Sequence, residues 1–443
     1  MRILVCGARG FVGRHISHRL QQSGHEIIYG VHQFSDSSTV QHHELLIDYN
    51  KDTSIAIWEK RLAALATVGK IDIVINAVGI LTASKNASFA AIHREAPIAL
   101  FQAAHDAGVR GILQISALGP DDNALQNAEP TYQELSPYLQ TKRDADYFLS
   151  QLNCTHMILR PSLIVGIDGG SSQLFRSLAS MPLIALPGHG EQALQPVQID
   201  DLCRCIDKWV EEVANNSAAR HQILCAVGPN PMTYRDMLKQ YRLAMRLTPC
   251  CFTPVPMSVM RISAELAQFL PQKVFAPETL RMLEQGNTAD CAPFSAFLGQ
   301  TPKSAKEWFS EHDTANLAAS AIATWSTILF RLILTALWIA TGIISLWIYP
   351  HQESAHLLSQ VGIGSAYLMP MLYVASGLDL AIGIATLINP SRRLWLAQLL
   401  VILAYSIIIM ICLPEFLIHP FGPILKNLPI IAILLVLLAG ERK

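Results

Sequence analysis

The chain has 443 residues and a formal net charge of −1. This length exceeds that of one ordinary domain, so two or three domains are expected. A near-neutral chain lacks the basic surface that nucleic-acid binding needs, and we expect no nucleic-acid partner. Only ten charged residues occur from Ser326 onward, so a part with ordinary charge density precedes an apolar part.

The first part of the chain predicts strands and helices in alternation. Strands are predicted at residues 2–6, 26–31, 44–47, 71–76, 111–116 and 156–160. Helices are predicted at residues 11–22, 54–67, 87–107 and 137–151. This alternation is typical of an α/β fold with a Rossmann-type, doubly wound parallel sheet. Beyond residue 161 a small substrate lobe is indicated by short strands and by helices at residues 201–213, 233–246, 258–269 and 277–285.

The turn after the first strand carries three evenly spaced glycines and leads into a helix: Gly7, Gly10 and Gly13. Glycines let the backbone approach a pyrophosphate, and a helix N-terminus favours its negative charge. The motif alone is equally compatible with a simple tight turn. Taken with the features that follow, it predicts a dinucleotide site.

Further candidate contacts to a dinucleotide lie where the next strands end. Asp48 follows the third strand, where a carboxylate can reach an adenine edge. Small residues follow the fourth strand, where a cofactor can lie against the backbone: Asn76, Ala77, Val78 and Gly79.

The end of the second strand predicts the type of cofactor. NAD-binding proteins place Asp or Glu there to bond the ribose hydroxyls. This chain has Val31 and His32 instead, with Arg9 and Arg14 in the adjacent turn. We therefore expect NADP, with NAD as the second choice, although these basic groups could also simply face water.

A pair of side chains on one predicted helix suggests proton-transfer chemistry. Tyr138 and Lys142 are four residues apart and share a helix face, and Ser116 ends the fifth strand. A lysine ammonium beside a phenol should lower the phenol pKa and suit it for proton exchange with an alcohol or carbonyl oxygen. The Ser116 hydroxyl could hold that oxygen. The alternative is an ordinary surface pair.

At these residues the sequence resembles the short-chain dehydrogenase/reductase superfamily, and most closely the atypical branch that includes the dehydrogenase-like accessory subunit of respiratory complex I. The resemblance covers residues 1–310 and is carried by GARGFVGRH, INAVG, ISALG, SPYLQTK, LRPSLIVG and PVQIDDL. It implies a catalytic triad of Ser116, Tyr138 and Lys142, with Lys142 also holding the nicotinamide ribose. It also implies that Pro161 begins the segment beside the nicotinamide, and that the pyrophosphate turn comprises Gly7, Gly10, Phe11, Val12 and Gly13.

One position departs from the superfamily pattern. Many relatives carry an Asn on the long fourth helix that completes a proton relay, whereas this chain has His93 there. This difference leaves open whether the protein turns over a substrate, and some members of the branch bind cofactor without known catalysis.

No metal site is expected from the nine cysteines. The close pairs are Cys203 with Cys205 and Cys250 with Cys251, and no histidine stands beside them at the spacing of zinc ligands. Reduced thiols in a cytosolic domain are the simpler interpretation.

The apolar C-terminal part predicts a membrane domain at residues 326–443, after a linker at residues 311–325. Residues 327–348, 363–388 and 394–413 are each long enough to cross a bilayer core of about 30 Å. Residues 428–440 form a shorter fourth run, and four spans are favoured over three. The segment resembles the DoxX-like membrane family in WIATGIISL, GLDLAIG and HPFGPILKNLPI, and some relatives of that family serve quinone-linked redox chemistry.

Positive charge at Arg392 and Arg393 predicts that both termini face the cytosol at the inner membrane.

Within the membrane, Asp379 is expected to face the bundle interior, with Arg331 as its partner. Either a structural ion pair or a proton or quinone site could explain Asp379.

Two functions follow from these observations. The first is a membrane-anchored NAD(P)-dependent oxidoreductase that acts on a lipophilic carbonyl, alcohol or quinone-like molecule. The second is a non-catalytic nucleotide-binding accessory or assembly protein that docks a respiratory or quinone-linked membrane partner. The complete Ser116, Tyr138 and Lys142 set favours the first, and His93 favours the second.

Overall fold

The computed structural model describes residues 1–34, 43–84, 87–122, 135–267, 275–418 and 424–441. The chain divides into two compact units, Met1–Ala321 and Ile322–Lys443. The domain boundaries expected at residues 310 and 326 remain predictions. A continuous helix, Thr314–Ile343, includes most of the segment expected to be a linker.

The strands of unit 1 are short and mostly buried. In chain order they are β1 Arg2–Cys6, β2 Glu26–Val31, β3 Glu44–Leu46, β4 Ile73–Asn76, β5 Gly111–Ile115, β6 His156–Pro161, β7 Ile164–Val165, β8 Leu183–Pro187, β9 Ala193–Leu194, β10 Val197–Gln198, β11 His221–Ala226, β12 Met232–Thr233 and β13 Cys251–Val255. The helices of unit 1 are α1 Phe11–Gln22, α2 Ile55–Ala66, α3 Ala96–Asp106, α4 Pro137–Gln151, α5 Gly170–Ser180, α6 Ile199–Ala214, α7 Tyr234–Ala244, α8 Met257–Ala267, α9 Pro277–Gln285 and α10 Ala292–Leu298.

Seven strands form one parallel sheet in the order β11-β6-β5-β4-β1-β2-β3. The chain moves outward from β1 to β3 and then crosses back to β4, so the order reverses between β1 and β4. Ligands of such sheets bind at the carboxyl ends of the strands beside this reversal. The predicted fold class is confirmed.

The alternation of side chains along β1 shows why helices cover both faces. Ile3 and Val5 belong to one buried cluster, which α6 completes with the fully buried Trp209. Leu4 and Cys6 point to the opposite face and join a second cluster with Trp58 of α2. Because successive strand residues point to opposite faces, a strand that is apolar throughout must be buried on both sides.

The region predicted to be a substrate lobe contains, among the described residues, three two-stranded pairings and a separate core. Strands β7 and β10 pair in parallel, as do β8 and β13, whereas β9 and β12 are antiparallel. Tyr241 and Trp308 pack together in this third core, with ring centroids 5.6 Å apart. The lobe was expected to begin after residue 161, but the chain returns to the sheet once more, because β11 pairs in parallel with β6 after β10 and before β12.

The helix expected over residues 87–107 contains an irregular turn. Residues Ala90–Glu95 are π-helical, and α-helical geometry begins only at Ala96. Pro97 explains the difference, because proline has no amide to donate to the His93 carbonyl and its ring would collide with that carbonyl in an α-helix. The wider turn accommodates the ring and places His93 at its centre.

Unit 2 continues with helices in the apolar part of the chain. They are α11 Thr314–Ile343 with its π-helical extension Ile344–Ile348, α12 His351–Gln360, α13 Leu368–Ile388, α14 Arg392–Cys412, α15 Glu415–Ile418 and α16 Asn427–Gly440. In the described ranges three helical stretches, Thr314–Ile348, Ser365–Ile388 and Arg392–Cys412, are long and apolar enough to cross a membrane. Helix α16 has 14 residues and a length of about 21 Å, which is less than a full bilayer core. A fourth span stays a prediction.

Helices α11 and α13 approach each other at two glycines. A Cβ atom on Gly342 would lie 2.7 Å from the Leu380 side chain and 3.0 Å from the Ser376 carbonyl oxygen. A Cβ atom on Gly383 would lie 2.7 Å from the Ile339 side chain. The two helix backbones therefore pack in close contact through small residues, as is common between membrane helices.

The expected ion pair between Arg331 and Asp379 is wrong. Within the residues that the structure describes, no ion pair joins them, and the Arg331 guanidinium donates to the Leu387 carbonyl at 3.4 Å. Leu387 lies eight residues beyond Asp379 on the same helix, a rise of about 12 Å. Arg331 is therefore too far along the bundle to reach the carboxylate.

Candidate functional site

The turn between β1 and α1 forms a cradle of backbone atoms. Gly7 has a φ of +79°, which favours glycine, and its amide donates to the Gly30 carbonyl at 3.0 Å. A Cβ atom on Gly13 would lie only 2.2 Å from the Gly7 carbonyl oxygen, so the helix can start this close to the strand only with glycine. Gly10 caps α1 and has no side chain to occupy the amides of its first turn. Those amides suit a pyrophosphate, so the cradle fits a dinucleotide.

Phe11 and Val12 hold this turn against the rest of the domain. The Phe11 ring lies against the segment that follows β7, where Cβ atoms on Gly166 and Gly169 would come within 2.7 and 2.9 Å of it. Val12 packs against the core on the α1 side of the sheet. Their predicted contact with a cofactor remains a prediction.

The basic groups near the end of β2 are already paired with acids. Arg9 donates to the Gln33 carbonyl at 2.6 Å and forms an ion pair with Glu44, the first residue of β3. Arg14 forms an ion pair with Asp168, which also contacts His15 at 2.9 Å. Glu44 and Asp168 were not identified from the sequence, because both lie far from the glycine turn along the chain.

Asp48 lies beside the exposed end of β2. Its carboxylate contacts Lys51 at 3.2 Å. Burial raises its pKa, but the Lys51 side chain, the Asn50 amide and the charge of His32 outweigh this and lower it. The two residues predicted for the adenosine end of the cofactor, His32 and Asp48, are thus close enough to interact electrostatically.

The carboxyl end of β4 is held by a buried hydrogen-bond network centred on Asn76. Its amide oxygen accepts from the Tyr49 hydroxyl at 2.8 Å, and its amide nitrogen donates to the Gln114 side chain at 2.7 Å. The Val78 amide donates to the same Asn76 oxygen at 3.2 Å. Asn76 is fully buried, so it supports the following residues from inside the sheet.

Gly79 links this strand end to helix α4. A Cβ atom on Gly79 would lie 3.4 Å from Nζ of Lys142 and 3.7 Å from Nε2 of His93. A Cβ atom on Gly7 would lie 3.1 Å from the Ala77 carbonyl carbon and from a Val78 methyl. The structure therefore brings the glycine turn, the end of β4 and Lys142 together at one edge of the sheet.

The structure shows Lys142 and Tyr138 buried on α4, but they do not interact as expected. Nζ of Lys142 donates to the Ile115 carbonyl at 3.0 Å, and burial lowers its pKa to about 8 despite the opposing charge of Asp146. Burial raises the pKa of Tyr138 to about 12, with Arg143 acting in the opposite direction. The expectation that Lys142 lowers the Tyr138 pKa is wrong in this state, because desolvation of the phenol dominates.

Ser116 belongs to a buried cluster of charges that sequence analysis missed. Its hydroxyl donates to Asp146 at 2.7 Å, and Asp146 also accepts from Arg160 at 3.1 Å. Arg143 and Arg160 both bind Asp122, at 2.7 and 2.6 Å. Asp146 lies four residues after Lys142 on the same helix face, which is the signal that could have identified it. In the described part of the chain no hydrogen bond joins Ser116 to Tyr138.

His93 stands between Tyr138 and the end of β4. Its Nε2 accepts from the Ile80 amide at 3.0 Å, and its Nδ1 faces the Thr141 hydroxyl at 3.4 Å. The imidazole is perpendicular to the Tyr138 ring, with centroids 5.1 Å apart. Burial, reinforced by the charge of Lys142, lowers the His93 pKa to about 2, so the ring is neutral.

Pro161 ends β6 at the same edge of the sheet. Its carbonyl accepts from the Leu118 amide at 2.9 Å, and Asn287 then bridges the Leu118 carbonyl and the Leu163 amide. The segment predicted to lie beside the nicotinamide is therefore fixed to the residues that follow Ser116.

Two family descriptions match the chain. Residues 3–224 match the NAD dependent epimerase/dehydratase family, and residues 335–435 match the DoxX-like family. These matches confirm both resemblances, to the short-chain dehydrogenase/reductase superfamily and to the DoxX-like family. No curated protein matches the chain.

Solved structures share the fold at low sequence identity. MoeE5, solved with UDP-glucose and NAD, is 17% identical, with a TM-score of 0.51 over 74% of this chain and 100% of its own. A UDP-glucose-4-epimerase from Stenotrophomonas maltophila, with NAD and formylated UDP-arabinopyranose, is 18% identical, with a TM-score of 0.51 over 75% and 99%. A nucleoside-diphosphate-sugar epimerase from Staphylococcus aureus is 16% identical, with a TM-score of 0.51 over 70% and 99%. At these identities the likeness establishes the fold alone.

Proposed function

The chain belongs to the NAD dependent epimerase/dehydratase family, and on this premise we propose that unit 1 is an enzyme that oxidises or reduces a carbon bearing a hydroxyl or carbonyl group. The observation that carries the proposal is the position of Lys142, which lies against Gly79 beside the glycine turn, bonds to the carbonyl that precedes Ser116, and shares its helix with the buried Tyr138. A bound nicotinamide cofactor would accept or supply the hydride.

The residues of the glycine turn and of the β4 end would hold this cofactor. The open first turn of α1 suits its pyrophosphate, and Asp48 and His32 lie at the adenosine end. We propose NADP as the preferred cofactor because β2 ends without an acid and Arg9 is half-exposed there. NAD is the alternative, supported by the NAD in the solved relatives and by the Glu44 carboxylate that offsets the Arg9 charge.

Tyr138 is the group that would exchange a proton with the substrate oxygen. With a pKa of about 12 it is protonated at neutral pH, so in this state it is ready to donate to a carbonyl oxygen. The Ser116 hydroxyl donates its proton to Asp146, and its oxygen, which accepts a long bond of 3.5 Å from Arg143, can also accept from a substrate hydroxyl. The two side chains thus offer one donor and one acceptor to the reacting oxygen.

The membrane domain bears on the choice of substrate. Three apolar helices fix the protein to a bilayer, which supports a lipophilic alcohol, carbonyl or quinone-like substrate. Two of the solved structures of similar fold contain UDP-sugars, so a nucleotide sugar is the competing class. We propose the cytosolic face of the inner membrane as the location, because Arg392 and Arg393 follow the positive-inside rule.

A second candidate function is that of a non-catalytic accessory or assembly protein that docks a respiratory or quinone-linked membrane partner. One observation favours it. Nε2 of His93, at the position of the relay Asn in many relatives, is already bonded to the Ile80 amide. His93 therefore has no free acceptor with which to pass on a proton. In this second function the bound nucleotide would only stabilise the fold of unit 1.

Substitutions at the site distinguish the two functions. Small molecules that copurify with the detergent-solubilised full chain would be identified, and turnover of NADPH or NADH followed with these, with a membrane lipid extract and with UDP-glucose. Tyr138→Phe should keep nucleotide binding and lose turnover by at least about 100-fold. Lys142→Ala should weaken both.

The control is Tyr147→Phe, because Tyr147 is exposed on the same helix. It should match the parent protein in both assays. A Tyr138→Phe protein as active as the parent would contradict the enzymatic proposal, and nucleotide binding without turnover of any of these molecules would favour the accessory role.

A further inference from the structure

The buried face of α13 carries an acid in the middle of the membrane domain. The buried residues of this helix recur every three or four positions and include Ser376, Asp379 and Thr386. Asp379 is only 6% exposed. Gly383, one turn further, lies directly against Ile339 of α11, so this face of α13 is packed against protein.

Among the residues that the structure describes, no cation pairs with the Asp379 carboxyl. In the described parts of the chain it forms no ion pair, and its Oδ1 is buried without a hydrogen-bond partner. Arg331, the charged residue of α11, donates to the Leu387 carbonyl. Leu387 lies about 12 Å from Asp379 along the axis of α13. From α14 the titratable group that faces Asp379 is Tyr405, which is neutral in its ordinary form and brings no positive charge.

Several other polar groups of the bundle bond to one another or to backbone carbonyls, whereas the Thr335 hydroxyl of α11 is buried without a hydrogen-bond partner among the described residues. Trp338 donates to Gln398 at 2.8 Å, Gln398 donates to Thr386 at 3.0 Å, and Thr386 donates to the Ile382 carbonyl at 2.8 Å. Thr386, the α13 side chain in this chain of bonds, lies about two turns from Asp379. Glu441, just beyond α16, accepts from Trp395, and His351 at the start of α12 contacts the Leu346 carbonyl.

An ionised carboxylate at this position would be a buried charge without a partner. Such charges are costly inside a protein and more so within a bilayer, whereas a neutral carboxylic acid avoids the cost by taking up one hydrogen ion. We propose that Asp379 is a proton-binding site of the membrane domain, occupied by a hydrogen ion at neutral pH. The carboxyl then carries an O–H donor inside the bundle. This inference is independent of the function proposed for unit 1.

Dicyclohexylcarbodiimide tests the protonation state directly. The O–H of a carboxylic acid adds across one C=N bond of the reagent, the proton going to nitrogen and the carboxyl oxygen to carbon, and no other reactant is needed. The full chain in lipid nanodiscs would be treated at pH 7 and at pH 4, and the peptides with Asp379 and with the exposed Glu353 quantified by mass spectrometry.

We expect Asp379 to be modified at pH 7 at least about tenfold more than Glu353, because the reagent reacts with the protonated acid, which burial favours and exposure to water does not. At pH 4 both residues should react, and Asp379→Asn should remove the modification while the protein stays monodisperse. Modification of Asp379 at pH 4 but not at pH 7 would overturn the proposal.

A second measurement covers the case in which the reagent cannot reach Asp379 at either pH. The infrared spectrum of the wild-type protein at pH 7 should contain a carboxylic acid C=O band that is missing from Asp379→Asn. If the two spectra are identical in that region, Asp379 is ionised and the proposal is wrong.

Discussion

The Ile80 amide donates to Nε2 of His93 at 3.0 Å, and this bond fixes the imidazole as the tautomer with its proton on Nδ1. An Asn in the same place would present a carbonyl and an amide group instead. His93 therefore supports the loop after β4 and the Tyr138 ring, and it has no free acceptor for a proton from Lys142.

The first prediction concerns the pH dependence of stability. Burial lowers the folded-state pKa of His93 to about 2, whereas an unfolded histidine binds a proton near pH 6.5. The unfolded state binds more protons below that pH, so the His93 contribution is complete above about pH 6.5 and is lost as the pH falls. Between pH 7.5 and 5 the loss should be about 2 kcal/mol.

Thermal unfolding of the detergent-solubilised chain at several pH values would measure this effect. His93→Asn should show a smaller decrease in melting temperature on acidification than the parent protein. The matched control is the exposed His18→Asn, which should decrease like the parent. Equal pH dependence of the His93 variant and the parent would contradict the prediction.

The second prediction concerns the cofactor. NADPH should bind more tightly than NADH, because Arg9 is half-exposed at the end of β2. Arg9→Gln should reduce this preference by about tenfold or more, the usual scale for a hydrogen bond to a charged group. Glu44→Gln should increase it, because the Arg9 guanidinium loses its competing carboxylate.

Fluorescence titration of the full chain with each reduced nucleotide would test these expectations. Gly10→Asp is the control for the site itself, because a carboxylate there would repel the pyrophosphate and should abolish both affinities. Tighter binding of NADH than of NADPH by the parent protein would show that NAD is the cofactor.

The third prediction concerns the charge cluster behind Ser116. Asp146 is buried and accepts hydrogen bonds from Ser116, Arg143 and Arg160. Its removal leaves the positive charges of the two arginines with one negative charge fewer to offset them. Asp146→Ala should lower the free energy of unfolding by about 3–5 kcal/mol. Asp144→Ala on the same helix is the control and should cost less than about 1 kcal/mol, because Asp144 is partly exposed. Denaturant titrations would measure the free energy of unfolding of both variants. If the two substitutions lower it by similar amounts, the buried cluster does not stabilise the fold as predicted.

The fourth prediction concerns the contact between α11 and α13. Gly383→Val should destabilise the membrane domain by about 1–3 kcal/mol, because its side chain would collide with Ile339. Gly377→Val is a matched control on the same helix, because a Cβ atom there would have no neighbour within 4 Å. Thermal stability and size-exclusion profiles in detergent would compare the two. An equal loss for both variants would mean that helix propensity, and not packing, is responsible.

The sequence predicted the sheet well where glycines and polar turns bound the strands. Strands β1 and β2 and helices α1, α4 and α9 have the predicted limits. The π-helical turn was missed because amphipathic periodicity cannot distinguish it from an α-helix, although Pro97 marks the place. The strand ends that form the site were likewise evident, because parallel strands all end at one edge.

Side-chain interactions were less predictable. The spacing of Tyr138 and Lys142 placed them correctly on α4, but it gave no measure of burial, which raises the Tyr138 pKa. The Arg331 and Asp379 pairing failed because depth along two helices depends on how they are packed. Glu44 and Asp168 approach the glycine turn only in the folded chain, so no local pattern could reveal them.

The π-helical turn at Ala90–Glu95 also limits how this segment can change in evolution. Its wider turn holds an additional residue between Phe89 and the start of α3. Loss of one residue from Ala90–Glu95 would turn Phe89 by about 100° around the helix axis relative to α3, away from the rings of His93 and Tyr138. The packing of Phe89, His93 and Tyr138 therefore constrains the number of residues in this turn as well as their identity. Deletion of one codon should disrupt this packing as much as a substitution of His93.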